Sequence, residues 1–270
     1  MGPSHPQNSD RPLVDPEALA HVFDALGGGV VDVKPRLLFT ECERRFPDPI
    51  PLHLFLPPSG IGSITLIEAA VMTALVNLIQ PRGIFEFGTF LGYSTALFLR
   101  NSPASSPVCS IDLGAAANAL DLASGLVEAD VRQDAQKNDD FLRSRQGVLG
   151  PTYLRNLPPH EAGRLTLLQG DSRALDVSAR NLRGRFGLVF VDGGHDEETV
   201  RSDTEKAYEL IDGDGLILWH DFRSAIHGDV TTYLDKLSSH ILVVSVTNTL
   251  LAFTAVGNTR TRLISRAAPR

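Results

Sequence analysis

The chain has 270 residues, 43% of them hydrophobic and 21% charged, with a formal net charge of −7. That is the composition of a globular chain with one principal core, and an acidic balance without any dense Lys/Arg cluster argues against a nucleic-acid surface. The two cysteines, Cys42 and Cys109, offer neither a disulfide framework nor a zinc spacing. Residues 1–16 are rich in Pro, Ser, Asn and Asp and contain no apolar signal core, and nowhere do the ~20 apolar residues of a membrane span occur together. The expectation is a soluble, cytoplasmic protein with a loose N-terminal tail.

After the tail, Glu17 to Leu26 predicts a short helix ended by Gly27-Gly28-Gly29. Pro35, Pro47, Pro49 and Pro51 break any long element between Val30 and Phe55, and residues 17–80 read together as a helical cap over the site. Leu56 to Gly62 is a loop. Thr65 followed three residues later by Glu68 fits a capping box, which opens a buried apolar helix running to Ile79. From Pro81 onward strands and helices alternate, the pattern of an α/β fold with a parallel sheet.

Gly83–Glu86 is the first strand, followed by a turn spaced by Gly88 and Gly92 and by a helix from Ser94 to Leu99. Val108–Asp112 is the second, with Cys109 a packed core thiol. Its last residue, Asp112, lies about twenty residues past the glycine turn, where a carboxylate accepts hydrogen bonds from a ribose. Residues 113–163 exceed an ordinary connection. They contain a helical stretch, Ala115–Val127, then a polar run from Arg132 to Arg145 and a Gly/Pro-rich segment to Pro159. We read them as an inserted helical subdomain or lid beside the ligand site, with a solvated decoration as the alternative. Leu165–Ser172 is the third strand with its exit, and Phe186–Asp192 is apolar enough to be central. Glu197–Ile211 is a helix stopped by Asp212-Gly213-Asp214-Gly215, and Leu216–Asp221 is the fifth strand. Asp229–Leu237 is helical. Ile241–Thr247 and Leu250–Ala255 form a closing hairpin about Asn248-Thr249, and residues 258–270 are a C-terminal tail to a domain of residues 81–257.

Glu86 occupies the place where a dinucleotide's pyrophosphate would otherwise sit, so a cationic or hydroxyl-rich ligand suits the turn better. Glu86-x-Gly88-x-x-x-Gly92 resembles the first motif of class I S-adenosylmethionine-dependent methyltransferases, and the run from Glu86 to Thr95 resembles its form in small-molecule O-methyltransferases. The resemblance implies a Rossmann-like, mostly parallel sheet with a closing antiparallel hairpin, an N-terminal helical cap and a helical insertion. It places S-adenosylmethionine against Glu86, Gly88, Thr89, Gly92, Ser94, Asp112, Asp171, Ser172 and Asp192. Gly170-Asp171-Ser172 would meet the adenine, with Asp171 accepting from its exocyclic amine.

Asp192, His195, His220 and Asp221 fall at the C-terminal ends of adjacent strands, the edge where open α/β sheets bind ligands. Val191-Asp192-Gly193-Gly194-His195 and Trp219-His220-Asp221-Phe222 resemble a bacterial methyltransferase subgroup with an Asp-Gly-x-His motif and a His-Asp pair. Cephalosporin-hydroxylase-like proteins share much of the pattern. Overlaid on metal-dependent catechol-type methyltransferases, the metal positions fall on Asp192, His220 and Asp221. His stands there for the first acid of an Asp-Asn pair and Asp for the Asn, which shifts preference from Mg²⁺ toward Mn²⁺ or Fe²⁺. Two other readings stand beside the metal: His195 or His220, with Asp221, in general-base catalysis, or histidines that are only hydrogen-bonded structure. His227 and His240 are expected on the surface. The leading function is O-methylation of a small molecule; an NAD-dependent oxidoreductase and a catalytically inactive cofactor-binding partner protein are the alternatives. The acceptor pocket would be built by residues 30–62 and 113–163, and a homodimer is compatible with the sequence.

Overall fold

Eight strands form one sheet in this structure, a computed structural model that describes residues 27–56, 62–114 and 131–264. The N-terminal tail, the helix expected at Glu17–Leu26 and that at Ala115–Val127 lie outside the described residues. In chain order the strands are β1 (Gly29–Val33), β2 (Ile84–Phe87), β3 (Val108–Asp112), β4 (Leu165–Gln169), β5 (Leu188–Val191), β6 (Gly215–Trp219), β7 (Leu242–Val246) and β8 (Ala252–Val256). Across the sheet they run β1-β7-β8-β6-β5-β2-β3-β4. Every pairing is parallel except those of β8, which lies antiparallel between β6 and β7. This is the mostly parallel, Rossmann-like sheet with the closing antiparallel hairpin expected from the sequence.

Strand alternation sends side chains to two cores. Ile84, Val108, Leu188, Phe190, Leu216 and Leu218 face one layer of helices: α1 (Pro35–Arg45), α2 (Leu66–Ile79), α3 (Tyr93–Asn101) and the C-terminal α8 (Thr259–Ile264). Phe85, Phe87, Ile111, Val189, Ile217 and Trp219 face the other, made by α6 (Glu197–Ile211) and α7 (Gly228–Ser238). The inserted segment supplies α4 (Ala135–Leu149) and the short α5 (Pro159–Ala162). Because α2 is apolar on all sides it is buried for most of its length, at ~1.5–3 kcal/mol for each fully enclosed Leu, Ile, Val or Met. Its start is the expected capping box: Thr65 Oγ1 accepts from the Glu68 amide, and Glu68 Oε2 accepts from the Thr65 amide.

Two boundaries differ from the expectation. Residues 17–80 are not a purely helical cap, because Gly29–Val33 adds a parallel strand to the sheet edge beside β7. Residues 258–270 are not wholly a tail: α8 docks on α2 and β8, and Leu263 is fully buried. The insertion is likewise docked. The Tyr153 amide donates to Leu91 O at 3.1 Å, and the Tyr153 ring meets Tyr93 edge-on. No described helix is long and apolar enough to cross a membrane.

The arrangement fixes where a ligand goes. β2 and β5 are neighbours, but the chain leaves β2 toward β3 and β4 and leaves β5 toward β6. Their C-terminal ends flank the crevice of a topological switch point.

Candidate active site

The turn after β2 is built on close backbone approach. Gly88 has φ +93°, and a Cβ there would lie 1.9 Å from the carbonyl oxygen of Asp192 at the end of β5. Only glycine lets the two strand exits come together. The next two amides, of Thr89 and Phe90, donate to Asp112 Oδ2 at 2.7 and 2.6 Å, and the Leu113 amide donates to Oδ1 at 2.6 Å. Burial nevertheless lifts the Asp112 pKa, against the pull of these amides and of the Gln146 side chain. Asp112 therefore pins the glycine turn while its carboxylate lines the cavity.

That cavity, about 770 Å³, opens over the ends of β2, β3, β5 and β6. Of the residues expected at the cofactor, Gly88, Asp112, Asp171, Ser172 and Asp192 line it. Glu86, Thr89, Gly92 and Ser94 are not among its lining residues; they stand behind the wall. Glu86 is fully enclosed. It accepts from Ser94 Oγ at 2.6 Å and from the hydroxyl of Thr95, and burial pushes its pKa up to about 7 against these donors. Thr89 Oγ1 is 2.6 Å from Ser110 Oγ in the interior, and Gly92, with φ +82°, is the N-cap of α3. Asp171 accepts from the amide of Arg173 and pairs with its guanidinium at 2.8 Å, which holds the carboxyl below its ordinary range.

At the other end of the cavity the expected acids and imidazoles do converge. His220 Nδ1 lies 3.3 Å from Asp192 Oδ1 and 3.2 Å from Asp221 Oδ2, and its Nε2 is 3.5 Å from Glu68 Oε1. His195 Nε2 is 3.2 Å from Asp221 Oδ2, and its Nδ1 is 2.8 Å from Asp139 Oδ1. Burial alone would lower both imidazole pKa values. The surrounding carboxylates outweigh it, raising His195 to about 10 and His220 well above its ordinary value. Burial would likewise raise Asp221 and Glu68, but the imidazoles hold Asp221 well down. His220, with the Leu250 and Thr65 amides, holds Glu68 at about 2. Asp221 sits at φ +59°, a left-handed conformation that Asp tolerates better than most residues and that turns its carboxylate toward both rings.

Among the described residues, ligand atoms of Asp192, His195 and Asp221 lie within 4.8 Å of one another, as do those of Asp139, His195 and His227. His195 thus takes the place in the convergent set that the sequence assigned to His220. His227, expected on the surface, is buried and stacks on His195 with ring centres 3.8 Å apart and planes 21° apart; His240 is exposed. Glu68, Asp139 and His227 were missed as site residues. Glu68 was legible only as a helix cap, Asp139 sits in a polar run, and only the fold brings His227 to the site.

A family of proteins described as "Methyltransferase domain" matches residues 85–222, just over half of the chain. No curated protein matches it. Among solved structures, the chain resembles the O-methyltransferase TomG of Streptomyces achromogenes, with 17% identity, 72% of this chain and 82% of that one covered, and a TM-score of 0.44. It also resembles the methyltransferase PaMTH1 of Podospora anserina (14%, 94% and 98%, 0.45) and an O-methyltransferase of Bacillus cereus (14%, 88% and 96%, 0.44). The family match begins in β2, takes in the glycine turn and ends just past Asp221, and the chain belongs to the methyltransferase domain family as a class I, Rossmann-like member.

Proposed function

We propose that this protein transfers the methyl group of S-adenosylmethionine to a hydroxyl of a small molecule, with Asp192, His195, His220 and Asp221 forming the acceptor end of the site. The observation that carries the reading is their convergence on the same cavity that the glycine turn and Asp112 enter. The lining chemistry fits the cofactor. Asp112, Asp171, Asp192 and Asp221 face a space suited to a sulfonium and an ammonium, and a dinucleotide's pyrophosphate would meet the same acids unfavourably. S-adenosylmethionine supplies an electrophilic methyl carbon, so the protein's main task is to align an acceptor oxygen with it.

The acceptor's proton must also go somewhere. Held between Asp139 and Asp221, the His195 imidazole can accept that proton only above its raised pKa, so general-base catalysis by it requires alkaline pH. Asp192 and Asp221 with an imidazole also form a donor set for a divalent cation, and the nitrogen favours Mn²⁺ or Fe²⁺ over Mg²⁺. Such an ion would supply Lewis acidity to the acceptor oxygen. Asp112 and Asp171 are assigned to the ribose and adenine, and Glu86, Thr89 and Ser94 to holding the turn from behind.

Calorimetry tests the reading in two arms. S-adenosylmethionine and S-adenosylhomocysteine should bind and NAD should not; the reverse would sink the assignment. Chelated protein titrated with Mn²⁺ should bind it, and Asp221→Asn should abolish that binding while leaving the affinity for S-adenosylhomocysteine within about threefold. Failure of the chelated wild type to bind Mn²⁺ would remove the cation from the proposal.

A further inference from the structure

A second cavity, of about 580 Å³, lies between α1, α2 and the irregular segment 46–52. It shares no lining residue with the catalytic cavity, although α2 borders both: Thr65 and Glu68 line the first, Ala70, Thr73 and Ala74 the second. Helix periodicity makes the two long walls. Phe39, Cys42 and Glu43 stand on one stripe of α1, and Ala70, Thr73 and Ala74 on one stripe of α2. The small residues of α2 leave the space open, and Phe46, Ile50 and Leu52 close it from the third side. Pro47 and Pro49 stiffen that side by fixing φ.

Three polar groups of this lining are unanswered among the described residues. Thr73 is only 4% exposed, yet its hydroxyl has no hydrogen-bond partner, not even the carbonyl one turn back that a helical Thr commonly uses. Glu43 and Asp48 are exposed at the cavity's edge, and neither meets a cation. The neighbouring guanidinium groups of Arg44 and Arg45 both turn to Glu41 instead. Two carboxylates beside apolar walls concentrate negative potential at the opening, which repels anions and draws in cations. Cys42 adds no covalent chemistry: its thiol donates to Ala74 O, and burial pushes its pKa up to about 12.

We infer that this cavity is a binding site for a small apolar amine, with its ammonium between Glu43 and Asp48 and its apolar body against Phe39, Phe46, Ile50 and Leu52. A hydrogen-bonding group on the body completes the fit by reaching the Thr73 hydroxyl. The volume admits a molecule of one or two rings. A neutral apolar molecule would fill the same space but leave the two carboxylates without a counter-charge, and an acid would be repelled by them. The inference stands apart from the methyltransferase reading, because no group of the catalytic cavity takes part in it.

The test uses three indoles of one shape and different charge: tryptamine, 3-ethylindole and indole-3-propionate, titrated into the full chain near pH ~7, where amine and carboxylates are ionised. Calorimetry should show tryptamine binding most tightly, 3-ethylindole more weakly and indole-3-propionate not at all. Methyl NMR resonances of Ala70, Thr73 and Ala74 should shift with tryptamine. The double change Glu43→Gln with Asp48→Asn should weaken tryptamine by about fivefold and bring it level with 3-ethylindole. Thr73→Val should weaken both, since the indole N–H then has no oxygen to meet. Ala70→Phe, which fills the cavity, should abolish binding, and the charge variants decide the matter if it does not fold. No tryptamine binding by the wild type would overturn the inference. So would affinity for indole-3-propionate equal to that for tryptamine, or binding that leaves the three methyl resonances unmoved.

Discussion

Replacing Glu86 by glutamine exchanges a fully enclosed carboxyl for an amide of nearly the same shape, which isolates the free energy of the buried charge. Burial, the largest influence, pushes this carboxyl from 4.5 to about 7, Asp192's charge adds to it, and the hydroxyls of Ser94, Thr95 and Ser110 pull the other way. At about 1.4 kcal/mol per pH unit, that difference between unfolded and folded protein amounts to about 3 kcal/mol. The folded-state value is the higher one. The stabilisation is therefore complete below the unfolded value, near 4.5, and is lost as pH rises through about 7. Glutamine has no such dependence, but one hydroxyl that donated to a carboxylate oxygen must turn and accept from the amide, at ~1 kcal/mol. Relative to wild type, Glu86→Gln should be less stable by about 1 kcal/mol near pH ~4 and more stable by about 2 kcal/mol near pH ~8. Urea unfolding at the two pH values, with unchanged m, reads both numbers. Curves of the two proteins that run parallel across this range would refute the reasoning, whatever their absolute heights. All other titrating groups cancel in the difference.

Gly88→Ala should cost more than ~3 kcal/mol or prevent folding, because the new methyl meets the Asp192 carbonyl at 1.9 Å in a backbone conformation that already disfavours side chains. A variant within ~1 kcal/mol of wild type by urea unfolding would show that the two strand exits do not approach as described. Leu263→Ala should cost ~2–5 kcal/mol while leaving S-adenosylhomocysteine affinity unchanged, since a fully buried side chain of α8 is lost far from the cavity. A thermal melt indistinguishable from wild type would mean that α8 is not docked.

The elements that sequence made legible are those whose reasons are local. Thr65 and Glu68 announce a helix start three residues apart. The run from Leu188 to Val191 is apolar because both its faces are covered, and the hairpin of β7 and β8 is marked by its turn. Gly29–Val33 carried no such mark. It is five residues between a glycine run and Pro35, and its partner Leu242–Val246 lies more than two hundred residues away, so nothing near it in the chain says strand. Leu263 is similar: one leucine in a short basic segment becomes core only because α2 and β8 leave a space for it. His227 follows a polar loop and reads as surface, and it is buried because His195, 32 residues earlier in the chain, offers a ring to stack on.

The same division runs through the site. The residues of the glycine motif were found by pattern, yet Glu86, Thr89, Gly92 and Ser94 face the interior, where they hold a turn in a left-handed or closely approached backbone. A motif of that kind records what a backbone path requires. Direct contact with a ligand is a separate demand, and it falls on side chains that the path leaves free to vary. Glu68 illustrates how one residue can satisfy both. Its Oε2 closes the capping box of α2, which was legible, while its Oε1 accepts from the Leu250 amide at 2.8 Å and lies 3.5 Å from His220. Those two partners come from the end of β6 and from the turn between β7 and β8. They become neighbours of Thr65 and Glu68 only once β8 has inserted antiparallel between β6 and β7. The acid therefore reports the helix start in the sequence and the acceptor end of the cavity in the fold, and a local cause sufficient to explain it concealed the distant one.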